Sequence, residues 1–360
     1  MLGLHERTVS AIRQLFGPRR GEIDLSVSPA KIAVVIPYFQ RKRGLLRQCV
    51  RSVLENAEGL EIEVLVVDDG SPLPAEEEIG DFLEDCPVEV IHQENAGPAA
   101  ARNMGLEHVA PGTRYVAFLD SDDEWIGPFL EDAVRALDQG FDLFVGNSRR
   151  TGIPTSRFQW SDARSDNIRP EEHHLVDPAH DLYEYVGDFF DLLVRRSNII
   201  GPTTMAYRLD RFPEVRFRES LFQGEDRLFK LTLGQSLGRV AFSPRIYAEE
   251  GEGVNIFDKS GWKTEGYLRL TSNYISLSRM VLEEIRLDPK QRAFVRGQLA
   301  DSRRAFVAAV LHQLRHRKPL DWSQVRATLR RDPAGAALFL PNTLRLATRR
   351  LGGGRRRPAG

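Results

Sequence analysis

The chain has 360 residues, 41% of them hydrophobic and 28% charged, with a formal net charge of -1 at pH 7. This length and composition indicate a globular protein with either one large domain and an appendage or two domains. The longest apolar runs, such as Ile32–Ile36 and Ala305–Leu311, are far shorter than the roughly 20 residues of a membrane span. A transmembrane helix is therefore not expected.

The N-terminal residues and the two cysteines predict a cytoplasmic protein. The first residues lack the apolar segment and the small-residue cleavage site of a secretory signal. Cys49 and Cys86 have neither metal-type nor redox-type spacing, and both lie in predicted helices. We expect them to be buried thiols in a reducing compartment.

Charge is distributed unevenly along the chain. Residues 291–360 contain 16 Lys and Arg against 3 Asp and Glu, a net charge of +13, which leaves a net charge of −14 on residues 1–290. The basic end can bind an anionic membrane surface and hold the protein at the inner face of the membrane, whereas a solvated, flexible end is the more common explanation. No nucleic-acid partner is expected.

Hydrophobic periodicity predicts a regular alternation of strands and helices after a short basic helix at 7–16. Strands are predicted at 31–37, 61–67, 88–92, 115–119, 141–145, 203–208 and 239–242. Helices are predicted at 43–56, 75–85, 98–109, 128–139, 225–233, 262–285, 290–316 and 322–331. Because helix-length crossovers join the early strands, residues 30–147 predict an α/β fold with a mostly parallel, twisted sheet flanked by helices.

The chain divides into five predicted regions. Residues 1–29 form a basic leader helix, and residues 30–147 form the half of the fold that is expected to hold a nucleotide. Residues 148–260 form a second half, which is polar and irregular up to about residue 191. A helical appendage is predicted at 261–332, and the basic residues after it predict a flexible tail at 333–360.

Polar residues follow the first two predicted strands. Pro37 and Tyr38 close the first strand, where proline is acceptable because the ladder ends, and Tyr38 can either cover a nucleobase or pack in the core. Asp68 and Asp69 end the second strand, before a Gly/Ser turn. Because open α/β sheets bind ligands beyond the carboxyl ends of their strands, one of these carboxylates can bond a base or a ribose. The alternative is a turn stabilised by Asx-type bonds to its own backbone.

The third predicted strand is followed by Asn95, Gly97 and Arg102. Pro98 stands near the first turn of the next helix, where its missing N–H costs nothing. Arg102 lies on that first turn and can approach the phosphates of a ligand or the carboxylates that follow the fourth strand. The alternative is a surface arginine that only stabilises the helix.

The most specific feature is the run Asp120-Ser121-Asp122-Asp123, directly after the buried strand at 115–119. Side chains alternate along an extended chain, so Asp120 and Asp122 can lean to one side and share a divalent cation with a phosphate-bearing ligand. Like charges at close range oppose burial, and a cation relieves that cost. A solvated acidic turn that caps the next helix is the alternative.

These four segments resemble the glycosyltransferases of family 2, whose nucleotide-sugar-binding fold is called GT-A. The resemblance covers about residues 30–250, and its motifs are Val-Ile-Pro-Tyr, Val-Val-Asp-Asp-Gly-Ser, Asn-x-Gly-x-x-x-Ala-Arg-Asn-x-Gly and Phe-Leu-Asp-Ser-Asp-Asp. It implies a nucleoside diphosphate sugar donor, usually UDP-linked, and an inverting transfer to a hydroxyl of a glycan or a lipid-linked acceptor.

The resemblance also implies roles for particular residues. Asp122 is expected to hold Mn²⁺ or Mg²⁺, Asp120 to contact the ribose, and Asp68 or Asp69 to meet the base. The other residues of the implied nucleotide-sugar site are Pro37, Tyr38, Asn95, Gly97, Arg102 and Ser121.

A catalytic base is implied by a second acidic pair. Glu225 and Asp226 open the predicted helix at 225–233, and the resemblance makes Asp226 the base and Glu225 its neighbour. Direct displacement of a nucleotide needs a group that takes the proton of the attacking hydroxyl, and a carboxylate can do this. Acidic residues in a first turn are also favoured by the helix dipole, so capping alone is the alternative. Residues 148–260 are thus the expected acceptor-binding and catalytic-base half.

The sequence departs from the family pattern after Arg245. Some family members have a histidine or a flexible basic loop near the diphosphate, whereas residues 247–255 are strongly acidic and contain no histidine. The metal, together with Arg102 or Lys259, is then expected to stabilise the leaving group.

Other functions fit the sequence less well. A nicotinamide dehydrogenase is disfavoured because no Gly-x-Gly-x-x-Gly turn follows the first strand. A phosphatase with an aspartyl nucleophile needs its Asp pair after the first strand, and here the pair follows the fourth. A non-catalytic sugar-nucleotide sensor or scaffold of the same fold stays the main alternative, since it would keep Asp122 but would not need Asp226.

Overall fold

The computed structural model describes residues 32–161, 163, 166–251, 264 and 266–343. These residues form two compact units. The first contains the described residues up to Glu219 and those from Phe229 to 251, and the second contains Ser220–Leu228 and the described residues from 264 onward. The predicted leader helix at 1–29 and residues 344–360 of the predicted tail lie outside the described residues.

The first unit is built on one sheet. Its ten strands are β1 (Ile32–Tyr38), β2 (Ile62–Asp68), β3 (Val88–His92), β4 (Tyr115–Phe118), β5 (Glu124–Trp125), β6 (Leu143–Arg150), β7 (His174–Asp177), β8 (Leu182–Glu184), β9 (Met205–Arg208) and β10 (Val240–Glu250). Its helices are α1 (Leu45–Asn56), α2 (Ala75–Asp85), α3 (Pro98–His108), α4 (Phe129–Asp138), α5 (Phe189–Arg196) and the greater part of α6 (Glu225–Gly234).

A parallel block forms one side of the sheet. The strand order is β3-β2-β1-β4-β9-β6-β10-β8-β7, and β5 pairs with β10. β1 is parallel to both β2 and β4, and β2 is parallel to β3, so the parallel arrangement predicted for residues 30–147 is confirmed for these four strands. β9 then lies antiparallel between β4 and β6, which makes the sheet as a whole mixed.

Glycine at position 105 allows α3 to pack closely on β1. All seven residues of β1 are buried, as expected for a central strand covered on both faces. A Cβ at Gly105 of α3 would lie 2.4 Å from Cγ1 of Val35, so only glycine allows the helix to approach the strand this closely. This contact holds α3, which carries Arg102, close to β1.

The second unit contains α7 (Gly266–Glu284), α8 (Pro289–Arg315), α9 (Trp322–Arg331) and α10 (Pro333–Ala337). Its core is formed by Leu268, Ile275, Leu299, Phe306, Ala309, Val310 and Val325. The side chain of Asp288 caps α8, and the side chain of Gln291 bonds back to the cap residue. The two long helices and the shorter one predicted for this part of the chain are present. Among the described residues, no helix is both long and apolar enough to cross a membrane.

Several short elements differ from the prediction. β5, β7, β8 and α5 lie where the sequence predicts loops, and α10 lies at the start of the predicted flexible tail. The added strands have two to four residues, which is too short for an alternation pattern to stand out. For α5 a signal exists, because the side chain of Asp188 accepts a hydrogen bond from the backbone N–H of Asp191 ahead of an apolar run.

Candidate functional site

The carboxyl ends of β1, β2, β3 and β4 lie side by side at one edge of the sheet. Tyr38 is opposite Asp68 in the pairing of β1 with β2, and Asp68 is opposite His92 in the pairing of β2 with β3. Gln40, just beyond β1, donates from Nε2 to Oγ of Ser121 at 3.3 Å and from its backbone N to Oγ of Ser71 at 2.9 Å. Gln40 therefore joins the loops after three strands, a role that the sequence did not reveal.

The carboxylate of Asp68 organises its own loop. Asp68 is 3% exposed, and its Oδ1 accepts a hydrogen bond from the N–H of Ser71 at 2.7 Å, while Oδ2 accepts one from the N–H of Ala75 at 3.0 Å. The second bond places negative charge at the first residue of α2, where the helix dipole favours it. For Asp68 the structure supports the alternative interpretation, a turn stabilised by the aspartate, and contact with a base stays a prediction.

Asp69 holds the loop that contains Asn95 and Gly97. Its Oδ1 accepts hydrogen bonds from Nε2 of Gln93 and the N–H of Ala96, both at 2.7 Å, and its Oδ2 accepts one from the N–H of Gly97 at 2.8 Å. Asn95 donates from Nδ2 to the backbone oxygen of Asp69 at 2.9 Å. The structure thus brings these predicted site residues together, with Asp69 as the group that shapes the loop.

Arg102 pairs with Asp120 at the end of β4. Nη2 of Arg102 lies 2.6 Å from Oδ1 of Asp120, and the side chain of Arg102 is 5% exposed against 34% for Asp120. The guanidinium also lies over the ring of Phe217, 5.2 Å from its centroid. The prediction that Arg102 approaches the aspartate run is confirmed, and its contact with ligand phosphates stays a prediction.

The aspartate run forms a tight turn with a buried acid beneath it. The N–H of Asp123 donates to the backbone oxygen of Asp120 at 2.9 Å, and the carboxyl group of Asp123 accepts hydrogen bonds from Oγ1 of Thr203 at 2.5 Å and from the N–H of Gly251 at 3.0 Å. Burial raises the pKa of Asp123 well above its usual range, and repulsion from Asp120 and Asp122 raises it further. The charges of Asp120 and Asp122 therefore lie close enough to Asp123 to disfavour its ionisation.

A second buried acid lies at the end of β10, and its charge contributes to the raised pKa of Asp123. Glu250 is 8% exposed and accepts a hydrogen bond from Oγ of Ser148 at 2.7 Å. Arg157 binds both carboxylate oxygens of Glu250 and donates from Nη1 to the backbone oxygen of Asn198 at 2.7 Å. The sequence alone shows only that residues 247–255 are acidic. The structure shows that Glu250 connects the irregular segment after β6 to the site.

The donor set fits a hard divalent cation. Asp120 and Asp122 are partly exposed, and carboxylate oxygens are the ligands that Mg²⁺ and Mn²⁺ prefer. Within the described part of the chain, a second group of possible metal ligands is formed by Asp68, Glu76 and His92, whose ligand atoms lie within 4.8 Å of one another. Both oxygens of Asp68, however, already accept hydrogen bonds from backbone N–H groups. One or two carboxylates that are completed by substrate phosphates are the usual way of holding Mg²⁺, and the turn after β4 suits that arrangement.

Of the two interpretations of Tyr38, the structure supports packing in the core. Pro37 and Tyr38 are both buried within β1, and Tyr38 belongs to the core with 1% of its surface exposed. Burial raises the pKa of its hydroxyl to about 12. A ring in this position packs against the core rather than covering a nucleobase, because the strand is central and covered on both faces.

Glu225 and Asp226 begin α6, as the sequence predicted, and they belong to the second unit. Glu225 is 9% exposed and Asp226 is half-buried. Burial raises the pKa of Tyr274, and the nearby negative charge of Asp226 raises it further. The structure places both acids in the first turn of a helix, and the catalytic role of Asp226 stays a prediction.

Comparison with known proteins identifies the family. The profile described as "Glycosyl transferase family 2" matches residues 33–196. The succinoglycan biosynthesis protein ExoW of Rhizobium meliloti (strain 1021) is 30% identical over 313 residues, which cover 84% of this chain and 95% of ExoW. The chain belongs to glycosyltransferase family 2. Its class is therefore that of enzymes that transfer a sugar from a nucleotide-linked donor.

Two further proteins show how far the similarity extends. The minor teichoic acid biosynthesis protein GgaA of Bacillus subtilis (strain 168) is 32% identical over 261 residues, 68% of this chain and 53% of GgaA. The crystal structure of TarS 1-349 of S. aureus in complex with UDP-GlcNAc superposes with a TM-score of 0.51 at 19% identity, and the match covers 79% of this chain and 72% of that one. The latter likeness establishes the GT-A fold.

Proposed function

We propose that this protein is an inverting, metal-assisted glycosyltransferase that moves a sugar, of the hexosyl type, from a nucleoside diphosphate sugar to a hydroxyl of a glycan or lipid-linked acceptor. The observation that carries the proposal is the turn after β4, where Asp120 and Asp122 stay partly exposed while Arg102 and Asp123 are buried around them. Such a concentration of carboxylates favours binding of a cation together with an anionic ligand.

The metal site is assigned to Asp122, with Asp120 as its neighbour toward the ribose. When bound, Mn²⁺ or Mg²⁺ neutralises the charge that develops on the departing diphosphate. Arg102 holds Asp120 at 2.6 Å and keeps one of its oxygens oriented. Because Asp69 fixes the loop of Asn95 and Gly97, the walls of the nucleotide site are formed before the ligand binds.

Asp226 is assigned as the general base, with Glu225 beside it. In an inverting transfer the acceptor hydroxyl loses its proton as it attacks the anomeric carbon, and the carboxylate of Asp226 takes that proton. Desolvation of Arg227 lowers the pKa of its guanidinium, and the negative charge of Asp226 partly restores it. Arg227 thus lies close enough to Asp226 for their charges to interact.

The donor and acceptor classes are proposed from the relatives. UDP-GlcNAc is the ligand of the TarS structure, and the names of ExoW and GgaA refer to the biosynthesis of succinoglycan and of a teichoic acid. A UDP-linked donor and a role in polysaccharide biosynthesis of the cell envelope are the corresponding proposals for this chain.

The decisive experiment measures transfer and donor hydrolysis with a panel of UDP-, GDP- and TDP-sugars, with Mn²⁺ and with EDTA. Asp226→Asn is expected to lower kcat by about 100-fold or more, because general-base catalysis contributes about 10²–10⁴-fold. The matched control is Asp321→Asn, since Asp321 also stands at a helix start of the second unit, where it accepts a hydrogen bond from Gln324. Wild-type turnover in Asp226→Asn would leave only the capping role for this residue.

The sensor or scaffold alternative is separated by the same panel. Metal-dependent stabilisation by a sugar nucleotide, without hydrolysis or transfer by the wild type, would favour a binding protein over an enzyme. Turnover that depends on Asp226 excludes it.

We also propose a cytoplasmic protein that binds the inner face of the membrane through its basic end. Residues 344–360 contain 6 Arg and no acidic residue, and each basic residue near an anionic surface contributes about 1 kcal/mol. Flotation with phosphatidylserine vesicles tests this for the full chain and for a chain ending at residue 343, which keeps α10. Equal recovery of both proteins in the unbound fraction would contradict membrane binding through these residues.

A further inference from the structure

Two of the three residues before α6 are bonded by one side chain of α7. Oδ1 of Asn273 accepts hydrogen bonds from the N–H of Phe222 at 2.8 Å and of Gln223 at 3.4 Å, and Nδ2 of Asn273 donates to the backbone oxygen of Gln223 at 2.6 Å. Asn273 is 8% exposed, so these bonds are shielded from water. The backbone of Gln223 is therefore fixed on both sides of its Cα.

Two more contacts of the second unit restrict this segment. Gly224 has a φ of 79°, and a Cβ there would lie 2.6 Å from Cδ2 of Leu277, so the backbone passes close to α7. The guanidinium of Arg269 lies over the ring of Phe222, 3.6 Å from its centroid. A left-handed conformation and close packing together leave little freedom at the residues that precede Glu225 and Asp226.

The side chain of Gln223 contrasts with this well-bonded backbone. Gln223 is 3% exposed, and neither Oε1 nor Nε2 has a hydrogen-bond partner among the residues that the structure describes. Leaving a buried donor or acceptor unsatisfied is unfavourable, and native proteins keep few such groups. The side-chain amide of Asn273, in contact with the same segment, uses both of its ends. A buried amide with two unused ends, two residues before Glu225, indicates a group kept for a ligand.

We infer that the side-chain amide of Gln223 binds a hydroxyl group of the sugar acceptor and so helps to select it. The inference rests on the proposed function, since it assumes that Asp226 takes a proton from that acceptor. A hydroxyl group donates and accepts hydrogen bonds at once, and an amide offers one acceptor and one donor group to match it. The amide precedes the proposed base in the same rigid segment, which favours a hydroxyl of the acceptor over one of the donor sugar.

The test compares Gln223→Met with Gln313→Met. Methionine keeps the length of the side chain and removes both polar ends. Gln313 is the matched control, because it is 7% exposed, lies on α8 of the same unit and has an Oε1 without a partner in the described structure. Transfer to a series of p-nitrophenyl glycosides and their monodeoxy analogues is measured beside donor hydrolysis, with the melting temperature of each protein.

We expect Gln223→Met to lower the ratio of transfer to donor hydrolysis roughly tenfold or more, mainly through a higher KM for the acceptor. Wild type should discriminate against one deoxy acceptor, and Gln223→Met should lose that discrimination, whereas Gln313→Met should keep it. The melting temperature of Gln223→Met should equal or exceed that of wild type, because an unsatisfied amide is replaced by an apolar group.

Other outcomes overturn the inference in distinguishable ways. If KM rises for the donor alone, the hydroxyl belongs to the donor sugar. If Gln223→Met melts well below wild type, or keeps the discrimination between acceptors, the amide has a structural role. If wild type shows no turnover with any donor, or if Asp226→Asn turns over like wild type, the proposed function is contradicted. The inference about Gln223, which depends on that function, is then contradicted as well.

Discussion

Two strand ends of the first unit carry similar acidic sequences and use them differently. After β2, Asp68 and Asp69 are each 3% exposed, and their oxygens accept hydrogen bonds from the N–H groups of neighbouring loops. After β4, Asp120 keeps 34% of its side chain exposed and pairs with Arg102. A run of carboxylates is therefore not a ligand site by itself. What distinguishes the end of β4 from the end of β2 is the exposed fraction of Asp120.

The largest expected effect sharpens this comparison at the end of β4. Asp122→Asn should lower kcat/KM at least about 100-fold, because a carboxylate ligand of the metal is lost and the diphosphate charge is no longer neutralised. Calorimetry of UDP with and without Mn²⁺ should show loss of the metal-dependent binding. The control is Glu283→Gln, a carboxylate that is 59% exposed and pairs with Arg279 on the surface of α7.

The proposal for Asp122 would be contradicted by one result in particular. If Asp122→Asn binds UDP and Mn²⁺ as wild type does while Asp68→Asn does not, the ligand site lies after β2, and the roles of the two strand ends are exchanged.

A second expected effect concerns stability rather than catalysis. Asp69→Ala leaves the N–H groups of Ala96 and Gly97 and the amide of Gln93 without their acceptor, and it should lower the free energy of unfolding by about 3 kcal/mol. Urea denaturation measures this value. Asp69→Asn, which keeps one acceptor oxygen, should lose less. Unchanged stability of Asp69→Ala with weakened UDP binding would show instead that the carboxylate meets the ligand.

Much of the first unit could be predicted from sequence because its pattern is local. Runs of β-branched residues separated by helical periodicity define β1 to β4, and the rule that parallel strands end at one edge brings Arg102 near Asp120 without further information. The family resemblance added the roles of the acids.

The parts that could not be predicted depend on contacts between distant residues. Thr203 and Gly251 donate hydrogen bonds to Asp123, and Arg157 donates one to Glu250. No local sequence pattern predicts these pairs. Whether Tyr38 faces a ligand or the core is decided by the helices that cover β1. The unsatisfied amide of Gln223 is likewise visible only when its surroundings are known.

The smallest expected effect concerns the ion pair between Arg102 and Asp120. Arg102→Met removes a buried partner of Asp120, but Asp120 is 34% exposed, so solvent screening reduces the coupling between them to about 1 kcal/mol. A double-mutant cycle with Asp120→Asn measures that coupling by urea denaturation. Equal effects of Arg102→Met in both backgrounds would mean that the ion pair contributes nothing to the free energy of unfolding.

Metal-dependent UDP affinity of Arg102→Met, measured in parallel, should fall only slightly if the arginine acts by holding Asp120. A loss as large as that of Asp122→Asn would place the guanidinium on the diphosphate itself.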